Sequence, residues 1–350
     1  MKFFQEDAFS PKRLVNEEAD VSEKDTVQKV ISSHFSFLPT LTSIKKLGGI
    51  GVNSRNYLIE TENNKFVVKW WGTTDKECIN DVMSLLSHLQ NSNQLVPIPV
   101  MSSTGNLMSD SEGHHFSVLS YINGKHFDAT MSKMQNYLSS VSSLFFDLQQ
   151  IDQTFKSLPT IQYDTKKIWD VIDIVSNKPD LISEICTIEQ LSVIQNLRET
   201  VKGELEMFAQ LSSPKELRLC HFDLHPKNVL IDPADNFGFL DFEACGYVDP
   251  RCALGFSLLK MLRQTVITDS EHKNPFAIGE QALNLVGGLN FDFQEEDLSL
   301  LPIFGRIEVL RRLTYILDQY LTTGDREWVQ VLSIQVSVLQ ESYQLFSQAN

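Results

Sequence analysis

The stretch CHFDLHPKNVLIDPADNFGFLDFE, residues 220–243, narrows the possible folds more than any other part of the chain. Its apolar runs NVLI and FGFLDF are too short for helices and read as strands, as does RLC just before them. The loops between these strands hold the polar residues. Asp223 stands two residues after His221, Asn228 five further on, and Asp241 closes the last apolar run at the head of DFE. A strand–turn–strand frame of this kind holds two carboxylates and an amide at one end of a small sheet. The alternative is a polar hairpin loop with surface acids.

The whole chain bounds what that frame can serve. At 350 residues, with 42% hydrophobic and 21% charged residues, it has the composition of a folded globular protein with room for two cores. A net charge of -15 argues against nucleic acid as the main partner, because a phosphate backbone demands a basic face. It leaves a solvated acidic surface, or an acidic pocket for a cationic substrate. There is no apolar run of about eighteen residues that would cross a membrane. The opening MKFFQEDAFSPKRL lacks the apolar core of a signal peptide. Five cysteines, odd in number and without a CxxC pair, point to a reducing cytoplasm rather than to disulfides or structural zinc.

The pattern changes character along the chain. Residues 1–37 read as a polar arm followed by a helix that starts at Asp25, with Val27, Val30 and Ile31 at helical spacing. Residues 38–122 read as a small lobe. In it, LTSIKKLGG, SRNYLIETE and NKFVVKWWG are β-type runs, the last two joined by a tight turn at Glu62–Asn64. DKECINDVMSLLSHLQ returns to a helical period, and HHFSVLSYING reads as a further strand. Residues 123–350 are mainly helical. One face of the first helix there carries Met131, Met134, Leu138, Val141, Phe145 and Leu148, and further helices are expected over 183–211, 250–268, 276–288, 296–322 and 326–348. The fold class is therefore α+β and bilobal, a β-rich lobe joined to a helical one, with a ligand cleft between them.

The polar residues suit phosphoryl transfer from ATP, which needs a base, ligands for Mg2+, a cation on the phosphates and a loop that covers them. His221, Asp223 and Asn228 have the spacing HxDxxxxN, and Asp241 follows where a second metal-binding carboxylate belongs. Asp223 would be the base, and Asn228 and Asp241 offer the hard oxygens that suit Mg2+. In KKLGGIGVNSRNYLIET, backbone N–H groups at Gly48, Gly49 and Gly51 would approach phosphate oxygens without a Cβ in the way, unless this is a plain hairpin turn. Lys69 is the only charge in FVVKWW. An inward-facing lysine needs a partner, expected from the following helix as Asp81 in preference to Glu77, unless Lys69 lies at a strand edge and reaches solvent.

With those residues in view, the chain resembles the aminoglycoside phosphotransferase superfamily, which also holds choline kinases, type II homoserine kinases and methylthioribose kinases. The likeness spans roughly residues 40–320 and rests on GGIGVNSRNYLIET, FVVKWW, VPIPV, FSVLSYINGK, CHFDLHPKNVLI and GFLDFEACGYVDPR. The resemblance implies a protein-kinase-like fold and an ATP:alcohol phosphotransferase that uses ATP and Mg2+. It implies Asp223 as the catalytic base, Asn228 and Asp241 as Mg2+ ligands, and Lys69 on the α/β-phosphates. It further implies Ser120, Tyr121 and Ile122 as an adenine-reading hinge, and a metal contact from Glu243, which is otherwise a turn acid. Two residues depart from the family pattern. Phe222 stands where the family usually has Gly, and Ala253 where it often has an Asp that braces the catalytic loop.

A protein substrate is disfavoured. The residue immediately before Asp223 is Phe222 rather than Arg, and too few residues separate Asp241 from Pro250 for a long activation loop. The expected acceptor is a hydroxyl of a small molecule, of aminoglycoside, amino-alcohol or hydroxy-amino-acid type. The acidic balance leans to a cationic acceptor. Arg306, Arg311 and Arg312 in LPIFGRIEVLRRLTYILDQY lean to a carboxylate-bearing one, unless they form a solvated helix face. His225 either orients the loop or is a packed histidine. The competing classes are a nucleotide-binding pseudokinase without turnover and a two-metal phosphoesterase, for which the chain lacks a rich His/Asp cluster.

Overall fold

The computed structural model describes residues 15–47, 54–72, 74–211, 217–269, 271 and 274–346. Its amino-terminal part runs β1 (Val15–Glu18), α1 (Val21–His34), β2 (Leu41–Leu47), β3 (Ser54–Thr61), β4 (Lys65–Trp71), α2 (Lys76–Leu89), β5 (Pro99–Val100), β6 (Ser109–Ser111) and β7 (His114–Ser120). These strands form one antiparallel sheet in the order β1-β2-β3-β4-β7-β5, with β6 added on β7. The turn at Glu62–Asn64 is closed by the Thr61 N–H donating to the Asn64 carbonyl at 2.9 Å.

Two readings near the amino terminus are corrected. Residues 15–18 are a sheet strand rather than part of an arm. Helix α1 begins at Val21 and not at Asp25, because Asp20 and Glu23 form a capping box that satisfies backbone donors on both sides of the first turn. Buried Glu23 also meets Lys46 and Arg55 at 3.2 Å each, so the cap is tied to the sheet.

Strand alternation divides β4 between two cores. Val68 and Trp70 face α1, packing with Val27, Val30, Phe35, Tyr57, Ile59 and Phe116. Val67 and Trp71 face the other way, into the core that α2 shares with the helical half. Lys69 lies in register with the second set, and its Nζ sits 4.5 Å from the Trp71 ring centroid.

The carboxy-terminal part runs β8 (Lys125–His126), α3 (Met131–Gln149), α4 (Thr165–Asn177), α5 (Ile188–Leu211), β9 (Arg218–His221), β10 (Val229–Ile231), β11 (Phe237–Phe239), β12 (Cys245–Val248), α6 (Pro250–Thr268), α7 (Pro275–Gly287), α8 (Glu295–Thr323) and α9 (Leu332–Phe346). All six apolar positions expected on one face of α3 are buried. Helix α4 was not anticipated, although Ile168, Val171, Ile172 and Val175 form a regular buried stripe behind an Asp164 cap. Among the described residues no helix is long and apolar enough to cross a membrane.

Helices α6 and α8 cross backbone to backbone. A Cβ on Gly255 would lie 2.5 Å from both the Gly305 nitrogen and the Leu301 carbonyl oxygen, and one on Gly305 would lie 2.5 Å from the Gly255 oxygen. This crossing sets how α8 presents its polar side chains. Alanine at a helical glycine normally gains backbone stability, up to about 1 kcal/mol. Here Gly255→Ala is expected to lose about 1–3 kcal/mol instead, because the facing atoms are backbone and cannot rotate away. Urea unfolding of the two proteins checks the sign.

Candidate active site

The hairpin β10–β11 assembles the site. Its register pairs Val229 with Phe239 and Ile231 with Phe237, and the Leu240 N–H then donates to the Asn228 carbonyl at 2.9 Å. Asn228 and Asp241 therefore emerge at the same end of the hairpin. Asp241 adopts a left-handed backbone, φ 61° and ψ 54°, and opens a single helical turn, Phe242–Ala244, that carries Glu243. Asp is among the residues that tolerate this conformation, and holding it there stores strain at the turn. After the turn, β12 pairs back on β9, and the Phe222 N–H donates to the Ala244 carbonyl at 2.9 Å.

His221 holds the start of the Asp223 loop from inside. Its ring is fully buried; Nε2 donates to the Leu240 carbonyl at 2.8 Å, and Nδ1 accepts the Asp223 N–H at 3.2 Å. Burial lowers its pKa, against the pull of the Leu240 carbonyl and the Asp223 and Asp241 carboxylates, so the ring is neutral. The Asn228 side-chain N–H donates to the Asp223 carbonyl at 3.0 Å, which leaves its amide oxygen out of that bond. His225 caps the short turn Pro226–Asn228 by accepting the Lys227 N–H at 3.2 Å, and its Nε2 lies 3.6 Å from Asp223 Oδ2. It thus orients the loop, one of the two roles open to it.

The Asp223 side chain is 24% exposed and does not stand alone. Arg312 of α8 donates from Nη1 to Asp223 Oδ1 at 2.7 Å, from Nη2 to the Phe222 carbonyl at 2.7 Å, and from Nε to Glu308 Oε1 at 2.6 Å. Its guanidinium lies over Phe256 with Cζ 4.1 Å from the ring centroid. Glu308 is wholly buried and also accepts from Arg311 at 2.7 and 2.8 Å and from the Tyr163 hydroxyl at 2.9 Å. Burial pushes the Asp223 carboxyl up, but the Arg312 charge and the contact with His225 outweigh it and hold it well below the usual carboxylate range. Glu308 was missed in the sequence. Its signal is an acid in the apolar run IEVL, the same kind that marks Lys69 in FVVKWW.

The two departures noted in the sequence have structural answers. Phe222 fits because Gly246 has no side chain: a Cβ there would lie 2.4 Å from the Pro159 carbonyl oxygen and 3.1 Å from the Phe222 ring. Ala253 is buried in α6, and the loop takes its charged contact from Arg312 instead.

Lys69 is buried and points to the same turn, but its partner is not Asp81. It pairs with Asp241 at 3.7 Å and, more closely, with Glu243 Oε1. Asp81 instead accepts the Ser157 N–H at 2.7 Å and fastens the segment after α3, while Glu77 is exposed in the first turn of α2. Burial lowers the Lys69 pKa, and the Asp241 charge works against it. In the expected hinge, the Ser120 N–H donates to the Ile98 carbonyl and its hydroxyl accepts the Ile98 N–H, each at 2.8 Å. Ser120 therefore spends its N–H on β5's side of the sheet, and Tyr121 and Ile122 follow beyond the strand. Gly48, Gly49 and Gly51 lie outside the described residues.

The donor set fits a hard divalent cation. Asn228 supplies an amide oxygen, the Asp241 carboxylate is 44% exposed, and the Lys69 ammonium already rests against Asp241 and Glu243. Among the described residues no group of three or more His, Cys, Asp or Glu side chains gathers as a metal site. A sparse set of this kind suits Mg2+, which takes its other ligands from phosphates and water. The arginines expected to meet an anionic group are matched within the chain: Arg306 pairs with Glu204 at 2.6 Å, and Arg311 and Arg312 with Glu308.

A family model described as the phosphotransferase enzyme family matches residues 45–271. The chain is similar in structure to a microcompartment-associated aminopropanol kinase, with TM-score 0.62 and 17% identity over 91% of this chain and 95% of that one. It is also similar to an amicoumacin kinase in complex with AMP-PNP and Ca2+, with TM-score 0.64 and 15% identity over 93% and 96%. For a choline kinase from Streptococcus pneumoniae the values are TM-score 0.56 and 18% identity over 91% and 98%. These likenesses show the protein-kinase-like fold. No curated protein matches in sequence.

The neutral state of His221 has a pH signature. Its folded pKa lies below the ordinary 6.5, so the unfolded chain binds more protons on the acid side. This contribution to stability is complete above 6.5 and is lost as pH falls from there through the folded value. His221→Gln is expected to flatten that limb, which urea midpoints across the range would read.

Proposed function

Because the chain belongs to the phosphotransferase enzyme family, we propose that it moves the γ-phosphoryl group of ATP to a hydroxyl of a small molecule. The observation that carries this reading is the arrangement of Asp223, Asn228 and Asp241 at one end of the β10–β11 hairpin, with Lys69 reaching the same turn from the sheet. In this reading residues 38–122 hold the nucleotide and residues 123–350 carry the catalytic loop and the acceptor site. Lys69 meets the α/β-phosphates, the segment Ser120–Ile122 reads adenine, and Gly48, Gly49 and Gly51 cover the phosphates. Asn228 and Asp241 hold Mg2+, with Glu243 beside them. When bound, that ion would neutralise charge on the β- and γ-phosphates.

Asp223 orients the acceptor hydroxyl. A carboxylate held so far below its usual range is a weak base, so it takes the proton only once the new bond to phosphorus is largely made. Asp81 serves this site indirectly, through the Ser157 segment. For the acceptor, the pairing of all three α8 arginines with carboxylates of the chain favours a neutral or cationic molecule over a hydroxy amino acid. The similar structures, by their titles, are kinases of aminopropanol, choline and amicoumacin, which agrees with an amino alcohol or an amino-bearing antibiotic.

The test is an ADP-release screen of amino alcohols, aminoglycosides and hydroxy amino acids with Mg·ATP, run beside a thermal shift with the same nucleotide. Binding without ADP release for any acceptor would favour the pseudokinase reading. With an acceptor in hand, Asp223→Asn is expected to lower kcat by about 10²–10⁴-fold while leaving ATP affinity in place.

A further inference from the structure

Resting on the phosphotransfer reading, we infer that Arg312 is a positioning residue that fixes the catalytic loop and assigns the working oxygen of Asp223. Its three bonds run to three different groups: Asp223 Oδ1, the Phe222 carbonyl and Glu308. The first two hold both the side chain and the backbone of the loop, and the third ties the guanidinium to a residue that water does not reach. Phe256 of α6 covers one face of the guanidinium. A planar fork can span separate acceptors in this way, whereas an ammonium is a single point charge. The brace that Ala253 cannot supply from α6 thus comes from α8, 89 residues beyond Asp223.

The geometry has a chemical consequence. Arg312 engages Oδ1 and not Oδ2, so Oδ2, the oxygen nearer His225, keeps more of its acceptor capacity and is the one that meets the acceptor hydroxyl. As the acceptor oxygen bonds to the γ-phosphorus, the bond from that phosphorus to the leaving ADP oxygen breaks, and the hydroxyl proton passes to Oδ2. The charged and titratable groups that face Asp223 are Arg312 from α8, His225 from the loop and His221 from β9. Those that face Arg312 are Asp223, Glu308 and Arg311. The cluster of Asp223, Glu308, Arg311 and Arg312 is formally neutral, and removing Arg312 leaves it with an uncompensated negative charge.

The experiment uses the full chain with Arg312→Met and Arg312→Lys. Two readouts are taken, for phosphotransfer to an acceptor from the screen or for slow ATP hydrolysis: the split between kcat and the KM values, and the ATP Kd. In Arg312→Met kcat should fall roughly 10²-fold at unchanged ATP Kd. Arg312→Lys keeps the charge but should not restore the rate, since one ammonium cannot hold both Asp223 and the Phe222 carbonyl. A merely structural arginine would lower stability and leave the kcat of the folded protein where it was. An Arg312→Met variant with near-native kcat, or a lysine variant with full rate, would overturn the inference. If Arg312→Met does not fold, the rate of the lysine variant decides. A wild-type protein that neither binds nor turns over ATP would instead defeat the phosphotransfer reading, and the inference with it.

Discussion

Glu308 carries its charge at a position with no exposed surface. Withdrawing a carboxylate from water costs several kcal/mol even after relaxation, and only close opposite charges with good hydrogen bonds repay it. Arg311 and Arg312 supply the charges, at helical spacings of three and four residues, and the Tyr163 hydroxyl fills a remaining acceptor site. Although burial pushes the carboxyl of Glu308 up, these two cations hold it below its usual range, so it stays ionised. The placing of Asp223 follows from that requirement. An arginine anchored in this way cannot wander, and its free end falls on Asp223 and the Phe222 carbonyl. The close approach of α6 and α8 at Gly255 and Gly305 serves the same end, because it determines where along its length α8 meets the loop.

A second constraint acts from the sheet. Lys69 is buried beside Trp71, and its ammonium meets two carboxylates of the turn after β11. The sheet and the β10–β11 hairpin are thereby joined through charge as well as through the apolar core that α2 shares with the helical half. Asp241 accepts a left-handed backbone to point at this junction. Two acids already stand against one lysine, so on the proposed reading an incoming cation and a nucleotide would redistribute bonds that exist rather than create a charged site from nothing.

The arginine network also bears on selectivity. Three arginines on one helix invite the idea of a carboxylate-binding pocket, but charge is not available twice. Arg306 is met by Glu204, and Arg311 and Arg312 by Glu308 and Asp223. Their work is internal, and the chain's excess of acids, 45 against 30 basic residues, then sets the long-range field. On the proposed reading both effects favour acceptors that bring no negative charge.

What the amino-acid sequence determines by itself is what depends on near neighbours. The alternation in FVVKWW turns Lys69 inward, the two short runs NVLI and FGFLDF close a hairpin, and that hairpin carries Asn228 and Asp241 to one end. The apolar stripe of α3 and the order of a sheet lobe followed by a helical lobe are legible for the same reason, since periodicity is local. The start of α1 lies a few residues before the expected one because Asp20 and Asp25 each offer a capping side chain with Glu23 or Gln28 three residues on, and it is the tie of Glu23 to Lys46 and Arg55 of the sheet that marks the first of them. Which distant groups meet was decided by tertiary structure alone. Asp81 stood at the helical position expected of the Lys69 partner, yet Ser157 claims it, and Glu243 reaches the lysine first. Arg312 gave no sign of its tie to Asp223, because ion pairing selects among many carboxylates by distance and burial, quantities that no local pattern of residues encodes.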